Sequence, residues 1–261
     1  MQLNFFKYQG TGNDFILIDN RDFIIDSKDI SLIEKICDRR FGVGGDGLML
    51  LENEENFDFR MRYFNSNGKE ASMCGNGGRC IVAFAYHLGI ITDSTSFIAV
   101  DGEHKAKILN NKKELLISLQ MQNISKLEIG EDYFYLNTGS PHFVKFIPNH
   151  NNFDTYSEGR KIRNNDRFKK EGTNVNFVSF QDDSIMVSTF ERGVEDETYS
   201  CGTGVVAAAI SASFKTKNQS FKIITKGGNL KVNFEKIDSQ NIKEIWLTGP
   251  AKYVFTGKFN L

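Results

Sequence analysis

Cys74-Gly75-Asn76-Gly77 and Cys201-Gly202-Thr203-Gly204 are two copies of one pattern, Cys-Gly-x-Gly, in a chain of 261 residues. An acidic residue, Glu70 or Glu197, stands four residues before each cysteine. The two copies are separated by nearly half the chain. A pattern that recurs in matched context at such a distance indicates an internal duplication. The sequence therefore predicts two similar lobes, each with a cysteine at the start of the same structural element.

The element that follows each copy is an apolar segment. Residues 76–88 and residues 203–214 have helical spacing and are nearly apolar on every side. A helix of this kind must be enclosed, because no face of it is suited to water. We therefore expect an α+β fold of two pseudo-symmetric lobes, each a mostly antiparallel sheet wrapped around a central buried helix.

The strands of these sheets are indicated by alternating apolar and polar residues beside turn residues. Such stretches lie at residues 57–68, 110–121, 177–190 and 227–234, and the second includes a predicted turn at Asn110-Asn111-Lys112. They are typical of antiparallel hairpins. One further helix is predicted over residues 29–40, with Ser27 and Asp29 as candidate caps. Cys37 lies on its apolar face and is expected in the core.

The charge balance argues against polyanionic partners. There are 32 Lys and Arg residues against 33 Asp and Glu residues, and the formal net charge is -1. A nucleic-acid partner is therefore not expected, because no global basic field is present. No apolar run reaches the roughly 18 residues of a membrane span, and the amino terminus does not resemble a signal peptide. The sequence predicts a soluble cytoplasmic protein without membrane contact.

Metal and cofactor signatures are weak in this sequence. The four cysteines form no Cys-x-x-Cys pair and the four histidines are not closely spaced, so we expect no metal site and no disulfide scaffold. Residues 42–47 match the pattern G-x-G-x-x-G, but they follow a predicted helix and precede an apolar run. Dinucleotide binding needs the reverse order. No pyridoxal-phosphate signature is found, Cys80 is expected in a helix core, and we predict no cofactor.

The two cysteines suggest a specific chemistry. A helix N-terminus has N–H groups without internal acceptors and the positive end of the helix dipole, so it stabilises an anion and lowers the pKa of a thiol placed there. If the lobes face each other across a cleft, two thiols flank one small anionic substrate. One thiolate then removes a proton from a carbon and the other thiol returns a proton to the opposite face. This arrangement predicts a two-base racemase or epimerase.

Six ordered motifs resemble diaminopimelate epimerases over essentially the whole chain. They are Gly10-Thr11-Gly12-Asn13-Asp14-Phe15, residues 64–80, Gly139-Ser140-Pro141-His142, residues 172–177, residues 190–193 and residues 197–204. The resemblance implies a cofactor-independent enzyme, usually a homodimer, that interconverts LL- and meso-diaminopimelate. It also implies that the C-terminal strand returns to the first lobe. The lobes are then residues 1–120 plus 250–261 and residues 121–249.

The resemblance assigns roles residue by residue. Cys74 and Cys201 match the catalytic thiols, and His142 and Glu191 match groups that tune them. The ligands of the distal end of the substrate match Asn13, Asn65, Asn174, Glu191 and Arg192, and the cradle of the carboxylate matches the backbone of Gly75, Asn76, Gly202 and Thr203. Two positions depart from the family. A Gln stands in some members in place of Gly47, and an Asn is common in place of Ser140, so neither residue is assigned a role.

Other interpretations remain open from the residues alone. Glu191-Arg192 also fits a solvated surface ion pair, and His142 fits a hydrogen-bonding residue at a strand end. Proline or hydroxyproline racemases have a similar fold with paired thiols, and phenazine-type isomerases share the scaffold without them. The pair Glu191-Arg192 favours diaminopimelate, because a second charged end needs both signs. A non-enzymatic binding protein would keep its function without the thiols.

Overall fold

The computed structural model describes residues 2–110 and 115–260, so Asn111 and Lys112 of the predicted turn lie outside the described residues. The described residues form four helices and 18 strands. The helices are α1 (Ile30–Cys37), α2 (Gly75–His87), α3 (Thr155–Arg163) and α4 (Gly202–Thr216). No helix among the described residues is long and apolar enough to cross a membrane.

The chain divides into two compact units, Met1–Leu119 with Gly249–Leu261, and Gln120–Thr248. The strands in the first half of the chain are β1 (Gln2–Gly10), β2 (Asn13–Asp19), β3 (Gly47–Glu52), β4 (Phe59–Asn65), β5 (Glu70–Ala71), β6 (Ser94–Ala99), β7 (Gly102–Asn110) and β8 (Leu115–Gln120). Those that follow are β9 (Leu127–Ile129), β10 (Tyr133–Asn137), β11 (Pro141–Phe146), β12 (Asn174–Gln181), β13 (Ser184–Glu191), β14 (Asp196–Thr198), β15 (Ser220–Thr225), β16 (Gly228–Lys236), β17 (Ile242–Pro250) and β18 (Lys252–Asn260).

The first unit is a mixed sheet with mostly antiparallel pairs. β1 pairs antiparallel with β2 and with the C-terminal strand β18. β2 runs parallel to β3, β3 pairs antiparallel with β4, and β4 pairs antiparallel with β5 and parallel with β6. The remaining strands of this sheet are an antiparallel meander of β6, β7 and β8. The helices α1 and α2 lie in the connections β2–β3 and β5–β6, because parallel neighbours need a crossover.

The second unit repeats this topology strand for strand. β10 pairs antiparallel with β11, β11 runs parallel to β12, and β12 and β13 form an antiparallel hairpin. β13 pairs antiparallel with β14 and parallel with β15, and β15, β16 and β17 follow antiparallel. The helices α3 and α4 lie in the two parallel crossovers. The duplication predicted from the two Cys-Gly-x-Gly motifs is confirmed, as is the α+β fold of two similar lobes.

The two cysteine helices are the buried centres of their units. In α2 every residue from Gly75 to Ala85 is buried, and the helix packs on β1, β2 and β3. In α4 every residue from Gly204 to Ser213 is buried, and the helix packs on β10, β11, β12, β13, β15 and β16. Both helices begin one residue before the predicted start, because the cysteine itself is the N-cap.

The other two helices differ from the sequence prediction. α1 is shorter than predicted: its N-cap is Asp29, whose carboxylate accepts from the backbone N–H of Leu32 at 3.0 Å, and the chain turns extended at Asp38. Cys37 is 2 % exposed and belongs to the core, as predicted. α3 was not predicted. Its sequence is polar, and only Thr155 and Gly159 in it are buried, so it has no apolar stripe to detect.

Candidate active site

Each candidate catalytic cysteine lies at the N-cap of its buried helix. Cys74 (φ -96°, ψ 133°) and Cys201 (φ -114°, ψ 113°) are both extended, and neither side chain caps its own helix. Cys74 is partly exposed and Cys201 is 8 % exposed. None of the four cysteines forms a disulfide. Each thiol is thus placed at the N-terminus of a helix, where backbone N–H groups have no acceptor within the helix and an anion is stabilised.

In the first unit, the fold brings Asn13 and Asn76 together. Asn76 is fully buried, and its Nδ2 donates to Asn13 Oδ1 at 2.8 Å. Asn13 Nδ2 in turn donates to Asp46 Oδ2 at 2.7 Å. Asn65 is exposed at the end of β4, where it faces Gly47 in the β3–β4 ladder. The beginning of β2 and the first turn of α2 are thus tied by two amide side chains.

In the second unit, Asn174 connects the predicted site residue Arg192 to Ser140 and Pro141. Its Nδ2 donates to Ser140 Oγ and to the Pro141 carbonyl, both at 3.0 Å, and its Oδ1 accepts from the backbone N–H of Arg192 at 2.9 Å. Glu191 Oε2 accepts from Thr198 Oγ1 at 2.9 Å. The Arg192 side chain is exposed, and its Nη1 donates to the Glu171 carbonyl at 3.1 Å.

His142 reaches Cys201 through a hydroxyl group. The imidazole is fully buried on β11, and its Nε2 lies 2.9 Å from Thr203 Oγ1. Thr203 Oγ1 lies 3.5 Å from Cys201 Sγ. Ser140 Oγ also lies within hydrogen-bond distance of His142 Nε2, at 3.0 Å. The structure thus forms a chain from imidazole to hydroxyl to thiol at the start of α4.

Asn176 determines which ring nitrogen of His142 carries the proton. Asn176 Nδ2 donates to the Phe143 carbonyl at 3.0 Å and to His142 Nδ1 at 3.1 Å, and Asn176 Oδ1 accepts from Thr189 Oγ1 at 2.9 Å. This orientation of the amide makes His142 Nδ1 an acceptor, so Nε2 carries the proton. Nε2 then donates to Thr203 Oγ1, which leaves the hydroxyl hydrogen of Thr203 able to point to the sulfur of Cys201 or to Ser140 Oγ at 3.4 Å.

His142 is neutral in this environment. Burial, with a smaller contribution from the positive charge of Arg192, lowers the pKa of His142 to about 3. A neutral imidazole suits a buried position without a carboxylate partner.

A glycine is required at position 204, beside the hydrogen-bonded groups of His142, Asn176 and Thr203, because a Cβ there would lie 2.4 Å from Asn176 Oδ1.

Sequence reasoning missed two residues of this arrangement. Ser140, set aside because the family commonly has Asn there, contacts both His142 and Asn174. Asn176, which fixes the tautomer of His142, was not singled out. The signal available was the motif Asn174-Val175-Asn176, in which alternate residues on a strand share a face. Among the described residues, no group of three His, Cys, Asp or Glu side chains is placed to hold a metal ion.

The fold defines the class of protein first. The chain superposes on a phenazine biosynthesis protein of the PhzF family from Bacillus anthracis with a TM-score of 0.75 and 17 % identity, and the match covers 100 % of both chains. This likeness shows the fold alone, a two-lobed α+β architecture.

The sequence defines the family. The profile named Diaminopimelate epimerase matches residues 5–127 and 134–254. A diaminopimelate epimerase of Flavobacterium psychrophilum is 50 % identical over 256 residues, 97 % of this chain and 98 % of its own. One of Aquifex aeolicus is 39 % identical over 279 residues, 99 % of this chain and 98 % of its own. The chain belongs to the diaminopimelate epimerase family, and its activity is that of an isomerase.

Proposed function

We propose that this protein interconverts LL- and meso-diaminopimelate by a two-base mechanism in which Cys74 and Cys201 act on opposite faces of one substrate carbon. The observation that carries the proposal is the matched placement of the two cysteines at the N-caps of buried helices in two units of the same topology. A proline or hydroxyproline racemase activity, the alternative from the residues, has no comparable support from the family of the chain.

The helix N-termini supply what proton removal needs. Removing a proton next to a carboxylate moves negative charge onto the carboxylate oxygens. The backbone N–H groups of Gly75, Asn76, Gly202 and Thr203, which we propose as the carboxylate cradle, would bind these oxygens more strongly as the charge grows. Binding that strengthens in the transition state lowers the barrier.

The thiols exchange roles between the two directions. For the LL isomer, Cys74 takes the substrate proton as a thiolate and Cys201 donates one as a thiol. Cys201 becomes a thiolate in that step, and the hydroxyl of Thr203, held by His142, is placed to donate to it. His142 therefore acts through Thr203 as a neutral donor.

We propose that the distal amino-acid end of the substrate is bound by side chains of both signs. Arg192 can hold a carboxylate with two parallel hydrogen bonds, and Glu191 can accept from an ammonium group. The proposed ligands are Asn13, Asn65, Asn174, Glu191 and Arg192. The hydrogen bond between Asn174 and the Arg192 backbone supports a common site for the last three.

Deuterium incorporation tests the two-base mechanism. LL-diaminopimelate is incubated with the enzyme and a reductant in deuterated water, and both isomers are separated at early conversion and analysed by mass spectrometry. The donating thiol has exchanged with solvent, so the product should carry deuterium at its α carbon while the remaining substrate stays unlabelled. Product that retains the substrate proton would indicate a single base.

Alanine variants assign the thiols. Cys74→Ala and Cys201→Ala should each abolish interconversion without loss of the fold. Cys37→Ala is the matched control, because Cys37 is buried in another part of the core and burial raises the pKa of its thiol to about 12. It should epimerise at a rate close to that of the wild type. A folded Cys201→Ala variant with comparable activity would refute the paired-thiol mechanism.

We further propose that the protein is a cytoplasmic homodimer. A reducing cytoplasm keeps a reactive thiol pair reduced. Tyr253, Val254 and Phe255 on β18 are consecutive and exposed by 47 %, 51 % and 45 %, an apolar strip that a second copy would cover. Sedimentation equilibrium at micromolar concentration should give twice the mass of the chain, and a monomer would contradict this proposal.

A further inference from the structure

Arg79 is a fully buried cation in the second turn of α2. Its guanidinium makes four hydrogen bonds, all to uncharged oxygens. Nη1 donates to the Gly75 carbonyl at 3.1 Å, and Nη2 donates to Asn76 Oδ1 at 3.0 Å and to Thr11 Oγ1 at 3.1 Å. Nε donates to the Pro250 carbonyl at 3.3 Å. Among the residues described, no carboxylate accepts a hydrogen bond from Arg79.

This position is electrostatically costly unless a negative charge lies nearby. The side chain of Arg79 reaches back to the N-terminus of its own helix, where the helix dipole disfavours a cation. A buried charge without a counter-charge is strongly destabilising. Burial lowers the pKa of Arg79 to about 10, and the adjacent Cys80 and Cys74 act in the opposite direction. Arg79 is therefore still charged at neutral pH, and its Nη1 is bonded at 3.1 Å to the carbonyl of Gly75, the residue that follows Cys74.

Only one of the two thiols can supply the counter-charge. Cys80 is fully buried, and burial raises the pKa of its thiol to about 12, so it is neutral. Cys74 is partly exposed at the N-cap of the same helix. Other titratable groups near this segment include Asp101, whose Oδ1 accepts from the backbone N–H of Met73 at 3.2 Å, and His104, which lies 3.1 Å from that same oxygen. Asp46 is linked to Asn76 through Asn13, and Tyr8 interacts electrostatically with Cys80.

We propose that Arg79 is the positioning residue that holds Cys74 as the thiolate of the resting enzyme. The proposal deepens the two-base function proposed above and rests on it for its catalytic meaning. The proposal also implies that the two cysteines of the duplication differ in their protonation at rest. Val206 stands five residues after Cys201, as Arg79 stands five residues after Cys74, and it is fully buried and uncharged. The proposal therefore assigns the thiolate of the resting enzyme to Cys74 and the thiol to Cys201.

Thiol titration of the wild-type enzyme tests this asymmetry. The reduced protein is alkylated anaerobically with iodoacetamide, a neutral reagent, over a range of pH, and peptide mapping gives a rate for each cysteine. Only the thiolate reacts, so the rate profile gives an apparent pKa. Cys74 should titrate at least about one unit below Cys201, a tenfold difference in the ratio of thiolate to thiol. An equal or higher apparent pKa for Cys74 would overturn the proposal.

Substitutions at position 79 separate charge from packing. Arg79→Met should raise the apparent pKa of Cys74 by at least about one unit and leave that of Cys201 unchanged. Arg79→Lys keeps the charge and should restore most of the shift. Val206→Ala, the matched control in the other half, should leave both values unchanged. If Cys74 titrates in Arg79→Met as in the wild type, Arg79 does not stabilise the thiolate.

If Arg79→Met does not fold, the wild-type comparison still keeps the proposal falsifiable, because Cys74 titrating at or above Cys201 would overturn it. It is also independent of epimerase activity. A protein in which Cys74 titrates below Cys201 but diaminopimelate is not converted would refute the proposed function and leave the role of Arg79 intact. A protein that converts diaminopimelate although both cysteines have the same apparent pKa would support the proposed function and refute the role of Arg79.

Discussion

The hydroxyl group of Thr203 is the smallest feature on which the proposed tuning of Cys201 depends. Thr203→Val replaces it with a methyl group of similar size, so no cavity forms. His142 Nε2 loses one acceptor at 2.9 Å but keeps Ser140 Oγ at 3.0 Å. The free energy of unfolding should therefore fall by only about 1 kcal/mol, the value of an ordinary hydrogen bond.

The effect on catalysis should be larger. The hydrogen bond from Thr203 to Cys201 Sγ, 3.5 Å long, is made to a charged acceptor when the sulfur is a thiolate. Hydrogen bonds to charged groups contribute about 1.5–3 kcal/mol. We therefore expect kcat/KM to fall about tenfold to hundredfold, and by the same factor in both directions because an enzyme cannot change the equilibrium constant. The apparent pKa of Cys201 should rise, and that of Cys74 should not.

Chiral chromatography of both isomers at subsaturating substrate gives kcat/KM for the two directions. The pH dependence of alkylation by iodoacetamide gives the apparent pKa of each cysteine. Thr203→Ser is the matched control, since it retains the hydroxyl and should remain within about threefold of the wild type, less than 1 kcal/mol. The reasoning fails if Thr203→Val is as active as the wild type. It fails equally if Thr203→Ser loses as much activity as Thr203→Val.

Two further predictions concern His142 and Arg192. Because the pKa of His142 is lowered to about 3, the unfolded state binds a proton between pH 6.5 and 3 that the folded state does not. The free energy of unfolding should fall with decreasing pH in this window, by up to about 1.4 kcal/mol per pH unit from this group, and urea titrations should show the stability advantage of the wild type over His142→Gln shrinking. Arg192→Lys should lower kcat/KM for diaminopimelate at least about tenfold, since an ammonium cannot form the double hydrogen bond, whereas Arg160→Lys on the exposed face of α3 should not. A stability difference independent of pH would refute the first prediction, and unchanged kinetics for Arg192→Lys would refute the second.

The duplication could be predicted because its signal is local and repeated. A cysteine before a glycine-rich turn and an apolar helix is visible in the sequence twice, and a helix that is apolar on all sides must be enclosed wherever it occurs. The polar helix α3 had no such signal. It is held in place by Gly159, at which a Cβ would lie 2.3 Å from Phe190 Cβ, a contact between residues of different elements.

The sequence by itself determined which residues stand at the two helix N-termini, since capping and burial depend on neighbours within one or two turns. It also carried the motifs that resemble the family. Only the tertiary structure decided that His142 is neutral with its proton on Nε2, because its contacts come from Ser140, Asn176 and Thr203 on three separate segments. The same holds for Arg79, whose lack of a carboxylate partner among the described residues follows from everything packed around it. Local structure depends on adjacent residues, whereas protonation depends on solvent exclusion and charge, which the folded environment alone provides.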